Sequence, residues 1–567
     1  MYLRFLSILW ASLLCFQSYA QEFPLNQLPI DNWETGSWKT AGSVDNPYKK
    51  KPGFKAGNQI LFSTTPGRTT SKLITADAKV KFDFMLGKNS DGVFYIQGKH
   101  GIILSNSGTT GAIIRPDGTL QLANQNAGKA IGLWQTLEVT FSDAPFGEAL
   151  IIEKVTLNNV VIHQGYVIPA KGINEGPLAF ENKAGTIAIK NVQYLKYNKE
   201  KPLKLSDLSY EMYETFDWNQ QFAPKSTTPN DKGTTTALTK DFGAGYNRFL
   251  LIFRGNLDVE KDGSYSLVAD YAGKASVKVD GKEVIPTESG ETYRRPRAAY
   301  LDLKKGKHPI EIRYNKVWWR AELGLFAAGP EVRAYPLHAE TSLPSPQAVG
   351  EIEITPRSDV EVIRSFVMFN GKKRTHAISV GTPVGTHYTF DLDQGTPLYA
   401  WRGDFADVTE MFHERGEPQL LKPKGVKTTF SGKTSVALLA NANESFPDTL
   451  DDYKDFIFKG YALGGEGLPT YKYQYKGAEI TEKFEPSADG GITTTISAIG
   501  GNSLYARLGE AKSITQLDKG FYILETTNGN DSYIRLDAKL KPVIKNTRDG
   551  QEIIIPLAGS VSFTTLW

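Results

Sequence analysis

The sequence predicts an all-β protein built from several sandwich-like domains. The chain has 567 residues, which is enough for about three to four domains. It contains 53 glycines, 29 prolines, 29 phenylalanines and 26 tyrosines, a composition that favours turns and strands over helices. Short runs that alternate between apolar and polar residues recur along the chain between turn residues. This spacing is typical of antiparallel sheets packed as sandwiches.

The first twenty residues have the pattern of a secretory signal peptide. One early charge, Arg4, precedes an apolar run over residues 5–16, and Ser18 and Ala20 supply small residues at a cleavage site. We therefore expect residues 1–20 to be a signal peptide and the mature protein to be secreted or periplasmic. The single cysteine, Cys15, lies in this segment, so we expect the mature protein to have no disulfide and no cysteine metal site.

Charge and hydropathy narrow the classes of partner. The formal net charge is +3 and neither sign forms a long block, a pattern that predicts no nucleic-acid partner. No later run approaches the roughly 18 apolar residues that span a bilayer, so we predict no membrane span. Exposed aromatic side chains in an exported β-rich chain favour carbohydrate as the partner. The sequence does not specify an oligomeric state.

Two changes in composition divide the chain into domains. The segment 198–206 is charged and poor in strand residues, and the segment 328–350 is longer and rich in proline. They predict domains at 22–198, 206–330 and 348–567, with a linker at 331–347.

The first domain reads as short strands joined by turns, and it ends in a predicted hairpin over Gly176–Tyr197. Four of its segments, FDFMLGKNSDGVFYI, GLWQTLEVTF, TLNNVVIHQG and GPLAFENKAGTIAIKNVQYLKY, resemble in order the 3-keto-disaccharide hydrolase domain family. The resemblance covers most of residues 35–197. It implies a concanavalin-like jelly-roll fold and a glycoside hydrolase or lyase activity.

The resemblance weakens at the chemically important positions. Where the family has Tyr-Glu-x-Gln-x-x-Asp, this chain has Gly101 and Ile103 at the carboxylate and amide positions and Asn106 at the aspartate position. Where the family has Gln-Asp-His-Gly, this chain reads Glu181-Asn182-Lys183-Ala184. The imidazole position of the family is therefore an amine here.

Cleavage of a glycoside needs a titratable group, either as one of two carboxylates or as a base that starts an elimination beside a ketone. The candidates in this domain are Glu181 as a base or acid, Lys183 as a stabiliser of developing negative charge, and His100. Asp91, Asn106 and Asn182 are the candidates for substrate binding. The alternative is that these are solvated turn residues of a sugar-binding domain without catalysis.

The second domain reads as strands joined by Asp-Gly turns. The segments FRGNLDVEKDGSYSLVADYAGKASVKVDGKEVI and YLDLKKGKHPIEIRYNKVWWRAELGLFAAGP resemble the protective-antigen-type (PA-fourteen) domain over residues 210–328. The resemblance implies a β-barrel that binds sugar, in some members through calcium held by an Asp-Asp pair. This chain has Asp270-Tyr271 there, which lacks one ligand, so we predict no metal and assign Asp270, Tyr271 and Trp319 to sugar binding.

The third domain is predicted to be another β-sandwich, of unknown role. Its densest polar cluster lies within 401–414 and has the composition of either a mixed oxygen and nitrogen metal site or a solvated acidic helix. The chain has no G-x-S-x-G elbow, P-loop or dinucleotide motif, so serine hydrolases and nucleotide enzymes are disfavoured and no cofactor is predicted. Two functions stay open, a glycoside hydrolase or lyase and a non-catalytic glycan-binding protein.

Overall fold

We describe the fold from a computed structural model. It describes residues 23–34, 36–46, 48, 53–143, 149–169, 175–215, 222–287, 296–317, 320–343, 350–413, 418–450 and 454–567. The predicted signal peptide, the predicted linker at 331–347 beyond Leu343, and Trp319 lie outside these residues. Among the described residues, the helices are single turns, and none has the length and apolar character of a transmembrane helix.

The chain forms two compact units, and the all-β fold class is confirmed. One unit consists of Leu195–Val349 together with the described residues up to Asn26. The other joins Gln27–Tyr194 to Gly350–Trp567. The second unit therefore combines an N-terminal sandwich with a C-terminal β-sheet region, although the first unit separates them in sequence.

Two antiparallel sheets form the N-terminal sandwich. Sheet A contains β1 (Asn26–Gln27), β3 (Lys39–Val44), β4 (Phe54–Ser63), β6 (Ala78–Leu86), β11 (Trp134–Asp143), β12 (Ala149–Leu157), β13 (Val160–Pro169) and β15 (Ile187–Lys196). Sheet B contains β2 (Trp33–Glu34), β5 (Gly67–Thr75), β7 (Asp91–Ile96), β8 (His100–Ser105), β9 (Ile113–Ile114), β10 (Leu120–Gln121) and β14 (Gly176–Ala184). A 3-10 turn at Ile30–Asn32 precedes β2.

Alternation along the strands builds the core between these sheets. Phe94 and Phe180 of sheet B pack on Phe82 of sheet A, with ring centroids 4.7 and 4.9 Å from that of Phe82. All three side chains are almost fully buried. The residues between them, such as Val93, Tyr95 and Glu181, therefore project from the other face of sheet B. We call this the outward face.

The predicted hairpin at Gly176–Tyr197 is wrong, although both of its strands exist. β14 pairs with β5 and β7 in sheet B, whereas β15 belongs to sheet A. The connection at Gly185 crosses from one sheet to the other with φ +70°, and a Cβ there would lie 2.6 Å from Ser90 Oγ. The alternating pattern identifies strands and their faces, but the partner of each strand depends on residues distant in sequence. Asn191 interrupts the regular backbone of β15 with a positive φ of 53°.

The middle unit is a second sandwich. Its strands form a six-stranded and a four-stranded sheet and are β16 (Leu203–Glu214), β17 (Asp231–Thr235), β18 (Phe249–Val259), β19 (Gly263–Ala272), β20 (Lys274–Val279), β21 (Lys282–Ile285), β22 (Arg297–Leu303), β23 (Gly306–Lys316), β24 (Glu322–Gly329) and β25 (Val332–Pro336). Short 3-10 turns lie at Lys240–Gly243 and Glu340–Ser342. Among the described strands the two sheets stay separate, so the expected barrel is an open sandwich around one apolar core.

The C-terminal region of the second unit contains four further sheets. The first two are built from β26 (Glu353–Ile354), β27 (Glu361–Phe369), β28 (Lys372–Gly381), β29 (Thr386–Asp391), β30 (Thr396–Arg402), β31 (Ala406–Asp407), β32 (Lys422–Pro423) and β33 (Val426–Thr429). A single α-helical turn, Thr409–Phe412, lies where a longer acidic helix was one alternative. Among the described residues, no group of three or more His, Cys, Asp or Glu side chains is arranged to hold a metal ion.

The other two sheets complete this region as a sandwich. Their strands are β34 (Val436–Leu438), β35 (Phe456–Leu463), β36 (Pro469–Tyr475), β37 (Ala478–Pro486), β38 (Ile492–Ile499), β39 (Leu504–Ala511), β40 (Ser513–Asp518), β41 (Phe521–Glu525), β42 (Ser532–Leu536), β43 (Val543–Asn546), β44 (Gln551–Pro556) and β45 (Ser560–Leu566).

The N-terminal sandwich and the C-terminal region share a packed junction within the second unit. Arg402 Nη2 donates to the carbonyl oxygens of Gly128 at 2.8 Å and Trp567 at 2.6 Å. Tyr533 Oη donates to Ile131 O at 2.8 Å, and Leu133 packs with Phe521 in a small apolar cluster. These contacts lie around one end of sheet A.

Candidate functional site

The outward face of sheet B carries the candidate functional site. Asp91, Val93 and Tyr95 occupy alternate positions of β7 and project from this face. Glu181 lies opposite Val93 on one side and opposite Arg68 on the other, so it shares the face with both. Lys183 follows Glu181 by two residues, at a β-bulge where β14 leaves its register with β7.

An open cleft of about 840 Å³ lies at one end of this face. Asp91, Asn106 and Lys183 line it, and they come from three separate segments of the chain. Ile103, Ile114 and Leu120 supply apolar lining. The structure therefore brings three of the predicted site residues together around one cavity, which we call the sheet-B cleft.

Glycines allow the backbone to approach closely around the cleft. A Cβ at Gly92 would lie 2.5 Å from the carbonyl oxygen of Glu181, and one at Gly101 would lie 2.8 Å from Ile114 Cδ1. Either contact is too short for a real Cβ, so a larger residue at Gly92 would displace the backbone of β14, whereas one at Gly101 would push the end of the Ile114 side chain aside. The Asp91-Gly92 pair therefore places a carboxylate at the rim and keeps β7 close to β14.

Glu181 is held by a tyrosine and lies beside an arginine. Tyr95 Oη donates to Glu181 Oε2 at 2.7 Å. The Arg68 guanidinium lies 4.4 Å from the centre of the Tyr95 ring and donates to Gly98 O at 2.6 Å. Burial, together with the hydrogen bond to the Glu181 carboxylate, raises the pKa of Tyr95 to about 12. Tyr95 is therefore protonated at neutral pH and can donate a proton or a hydrogen bond.

Sequence reasoning missed Tyr95 and Arg68. Tyr95 has a local signal, because it alternates with Phe94 and Ile96 and must lie on the face opposite to those core residues. Arg68 has none, since only the pairing of β5 with β14 places it beside Glu181. Neighbours in a sheet that are more than one hundred residues apart in sequence leave no local pattern.

Asn106 and Asn182 have their side-chain amides engaged within the protein. Asn106 Nδ2 donates to Gly87 O, and Asn106 lines the cleft. Asn182 projects to the interior, where it is 1% exposed, and its Nδ2 contacts Ser63 Oγ, Thr65 O and Gly185 O at 3.2–3.3 Å. Asn182 thus fixes the turn after β14 and positions Glu181 and Lys183.

His100 does not join the other candidates. It pairs with Ile96, whose side chain is fully buried in the core, so His100 lies on the core-facing side of sheet B, opposite to Glu181. Burial lowers the pKa of His100 to about 4, and the neighbouring charge of Lys99 adds to this. Its imidazole is therefore neutral at neutral pH and is directed away from the sheet-B cleft.

The residues assigned to sugar binding in the middle unit are mostly inaccessible. Tyr271 is fully buried in the core of this unit, and Asp270 beside it is 2% exposed. Neither side chain presents a surface on which a sugar ring could stack in this structure. Trp319 lies outside the described residues.

Comparison with known families identifies one domain of the chain. A family model of the PA14 domain matches residues 208–325. The chain therefore contains a PA14 domain, as the resemblance of its middle segments implied. No curated protein sequence matches the chain.

Several solved structures resemble parts of the chain. They include a proposed glycosyl hydrolase from Parabacteroides distasonis, at 10% identity over 31% of this chain and 100% of that chain, with a TM-score of 0.20. A PA14 sugar-binding domain from an RTX adhesin has 15% identity over 23% and 94%, with a TM-score of 0.18. The A domain of a subtype-switched epithelial adhesin from Candida glabrata, solved with β-lactose, has 8% identity over 25% and 89%, with a TM-score of 0.19.

Proposed function

We propose that this chain is a carbohydrate-binding protein whose main site is the sheet-B cleft. The observation that supports this most is the convergence of Asp91, Asn106 and Lys183 on one open cavity of about 840 Å³. Its volume is in the range of small-molecule sites, about 300–1,000 Å³. The PA14 domain supports the same class of ligand, since the family includes sugar-binding members.

The chemistry of the cleft suits a polyhydroxylated ligand. Each sugar hydroxyl can donate one hydrogen bond and accept others, so a carboxylate and an ammonium on the same rim can both be satisfied. The apolar lining of Ile103, Ile114 and Leu120 can cover the C–H face of a pyranose. A fully apolar ligand would leave the charges of Asp91 and Lys183 without partners.

A second candidate function is cleavage of glycosides, by hydrolysis or by elimination from a 3-keto sugar. It is favoured by the shared face of Glu181, Tyr95 and Lys183 and by the family resemblance of residues 35–197. In the elimination, the Glu181 carboxylate takes the C2 proton, and the electron pair of that bond forms the enolate of the C3 ketone. The enolate then returns to the ketone as its electron pair forms the C1=C2 double bond and the bond from C1 to the leaving oxygen breaks. The Lys183 ammonium stabilises the enolate oxygen on C3, and the Tyr95 hydroxyl protonates the leaving oxygen.

Binding and turnover can be measured on the same set of proteins. The wild type would be tested by calorimetry and by product analysis against oligosaccharides and their 3-keto forms, beside Asp91→Asn, Lys183→Ala and Glu181→Gln. Lys55→Ala is a matched control, because Lys55 is exposed on β4 of sheet A. We expect Asp91→Asn and Lys183→Ala to weaken binding about tenfold or more, and Lys55→Ala to bind as the wild type.

The outcomes separate the two functions. Binding without turnover would support the binding protein alone. Turnover that Glu181→Gln abolishes while binding persists would support the second function. Binding that is equal in all the variants would contradict the site.

We also infer that the protein is exported, from the signal-peptide pattern of residues 1–20. Expression of the full sequence in a bacterium followed by mass spectrometry of the purified protein tests this. A mature N terminus near Gln21 is expected, whereas an intact protein retained in the cytoplasm would contradict export.

A further inference from the structure

A second cavity lies at the junction of the N-terminal sandwich with the C-terminal region. It has a volume of about 370 Å³ and lies between sheet A and the loop that joins β41 to β42. Asp83, Lys129, Trp134 and Lys190 line it from the N-terminal sandwich, and Asp531 lines it from the loop. Lys427 of β33 lines it as well, and its Nζ lies 4.4 Å from the centre of the Tyr399 ring. We call it the junction cavity. It belongs to the opposite sheet from the sheet-B cleft.

Asp83 is held in place by two donors and retains free acceptor capacity. Thr136 Oγ1 donates to its Oδ1 at 2.6 Å, and Asn191 Nδ2 donates to its Oδ2 at 2.7 Å. Asn191 reaches it from the irregular position of β15, where φ is 53°. An ionised carboxylate offers about four lone-pair sites, so about two sites of Asp83 stay available for a ligand.

Two lysines place their ammonium groups at the same cavity. Lys129 Nζ donates to Gly529 O at 2.6 Å and to Trp134 O at 3.4 Å. The third hydrogen of this ammonium group can donate to a ligand. Lys190 Nζ lies 4.0 Å from the centre of the Trp134 ring. Burial lowers the pKa of both lysines, while the charges of Asp83 and Asp531 oppose this effect. Both ammonium groups are therefore partly removed from water.

The charges at the junction cavity face one another without forming ion pairs. Within the described residues, neither Lys129 nor Lys190 has a carboxylate oxygen within 4.0 Å, although Asp83 and Asp531 line the same space. Asp531 is fixed by Thr526 N, which donates to its Oδ1 at 2.8 Å. Donors and acceptors are therefore held apart at fixed positions around an open space.

We infer that the junction cavity binds a small neutral saccharide, as a second carbohydrate site independent of the sheet-B cleft. The hydroxyls of the saccharide donate hydrogen bonds to Asp83 and Asp531 and accept hydrogen bonds from Lys129 and Lys190. One ligand therefore pairs with both the carboxylates and the ammonium groups. Asn530 at the cavity adds a side-chain amide, which is a common hydrogen-bond partner of hydroxyls. A ligand with a net charge would place a like charge beside the carboxylates or beside the ammonium groups of Lys129, Lys190 and Lys427.

Calorimetry on the full chain tests this inference. The probes are neutral hexoses, their disaccharides and the corresponding uronic acids, each titrated into wild type, Asp83→Asn, Lys190→Met and the control Lys55→Ala. Asp83→Asn keeps an acceptor for Thr136 and Lys190→Met keeps an unbranched chain over Trp134, so both variants should fold, which thermal unfolding checks. Hydrogen exchange with and without saccharide locates the site on residues 134–136, 158–159, 187–191 and 526–531.

We expect at least one neutral saccharide to bind with a Kd that rises about tenfold or more in Asp83→Asn and in Lys190→Met but not in Lys55→Ala. Protection from exchange should appear in the four segments named above. Three results would overturn the inference: no binding by any neutral saccharide, binding that neither Asp83→Asn nor Lys190→Met weakens, or a preference for the uronic acids.

Discussion

The two sheets of the N-terminal sandwich share one core but differ in their other faces. The outward face of sheet B carries the sheet-B cleft with Asp91 and Lys183 at one end. One end of sheet A packs on the C-terminal region, and the junction cavity around Asp83 and Lys190 lies between them. A sheet can therefore carry a site built by its own sandwich or a site shared with a second region, depending on what packs on it.

The largest effect on stability is expected from removing a ring of the core that both sheets share. Phe180 lies 5.0 Å from Trp33, 4.9 Å from Phe82 and 5.2 Å from Phe94, measured between ring centroids. Phe180→Ala should lower the free energy of unfolding by about 3–5 kcal/mol, because it removes a buried ring and leaves a cavity. Denaturant unfolding measures this. Phe412→Ala is the control, since Phe412 is 68% exposed and should change stability by less than about 0.5 kcal/mol.

We expect Phe180→Ala to weaken ligand binding at both cavities, because both sheets pack on the same core. Loss of binding at one cavity alone would contradict the dependence of both sites on this core.

The second effect is a pH dependence of the stability of the C-terminal region. Glu482 is fully buried and accepts a hydrogen bond from Tyr473 Oη, and burial raises its pKa to about 8. The folded state therefore keeps a proton that the unfolded chain loses above its ordinary pKa of 4.5. Stability from this group is complete below pH 4.5 and decreases as the pH rises to about 8, by up to about 5 kcal/mol.

Denaturant unfolding of wild type and Glu482→Gln between pH 5 and 9 measures this effect. The glutamine variant should show a flatter profile, because it cannot ionise. Parallel profiles for the two proteins would contradict the role of Glu482.

The third effect is a loss of binding that is expected at the junction cavity but not at the sheet-B cleft. Arg402 joins Gly128 O and Trp567 O, and burial lowers its pKa to about 10. Arg402→Met should destabilise the second unit by about 2–3 kcal/mol, because two carbonyl groups lose a charged donor. Hydrogen exchange should increase near residues 126–132, and saccharide binding at the junction cavity should weaken while the sheet-B cleft keeps its affinity. Equal loss at both cavities would contradict their independence.

The smallest effect on stability is expected at the sheet-B cleft itself. Lys183 is exposed, so Lys183→Ala should change the free energy of unfolding by less than about 0.5 kcal/mol. It should nevertheless weaken saccharide binding about tenfold. A loss of stability that matches the loss of binding would show that Lys183 acts on the fold rather than on the ligand.

The sequence predicted the all-β fold and most strands because alternation is local. The strand at residues 176–184, for example, coincides with the first half of the segment predicted as a hairpin. The partner of β14 could not be predicted, since β5 and β7 lie about 80–110 residues earlier and nothing local specifies them.

The candidate site was predictable only where local sequence determines the position of a residue. Asp91, Asn106 and Lys183 lie next to turns and converge on the cleft, whereas His100 lies on the core-facing side because of its pairing with Ile96. Tyr271 reads as an exposed aromatic by analogy with sugar-binding domains, yet alternation along β19 places its ring in the core. The junction cavity needs both the N-terminal sandwich and the C-terminal region, so no single segment of sequence indicates it.

The most direct test of the proposed function is a binding measurement on the double variant Asp91→Asn/Lys183→Ala. Wild type and variant would be compared on an array of neutral and acidic oligosaccharides, with Lys55→Ala as the control and thermal unfolding to confirm the fold. The sheet-B cleft predicts that wild type and Lys55→Ala bind the same glycans and that the double variant loses those that depend on the cleft. An unchanged binding pattern in the double variant, or no glycan bound by the wild type, would contradict the proposal.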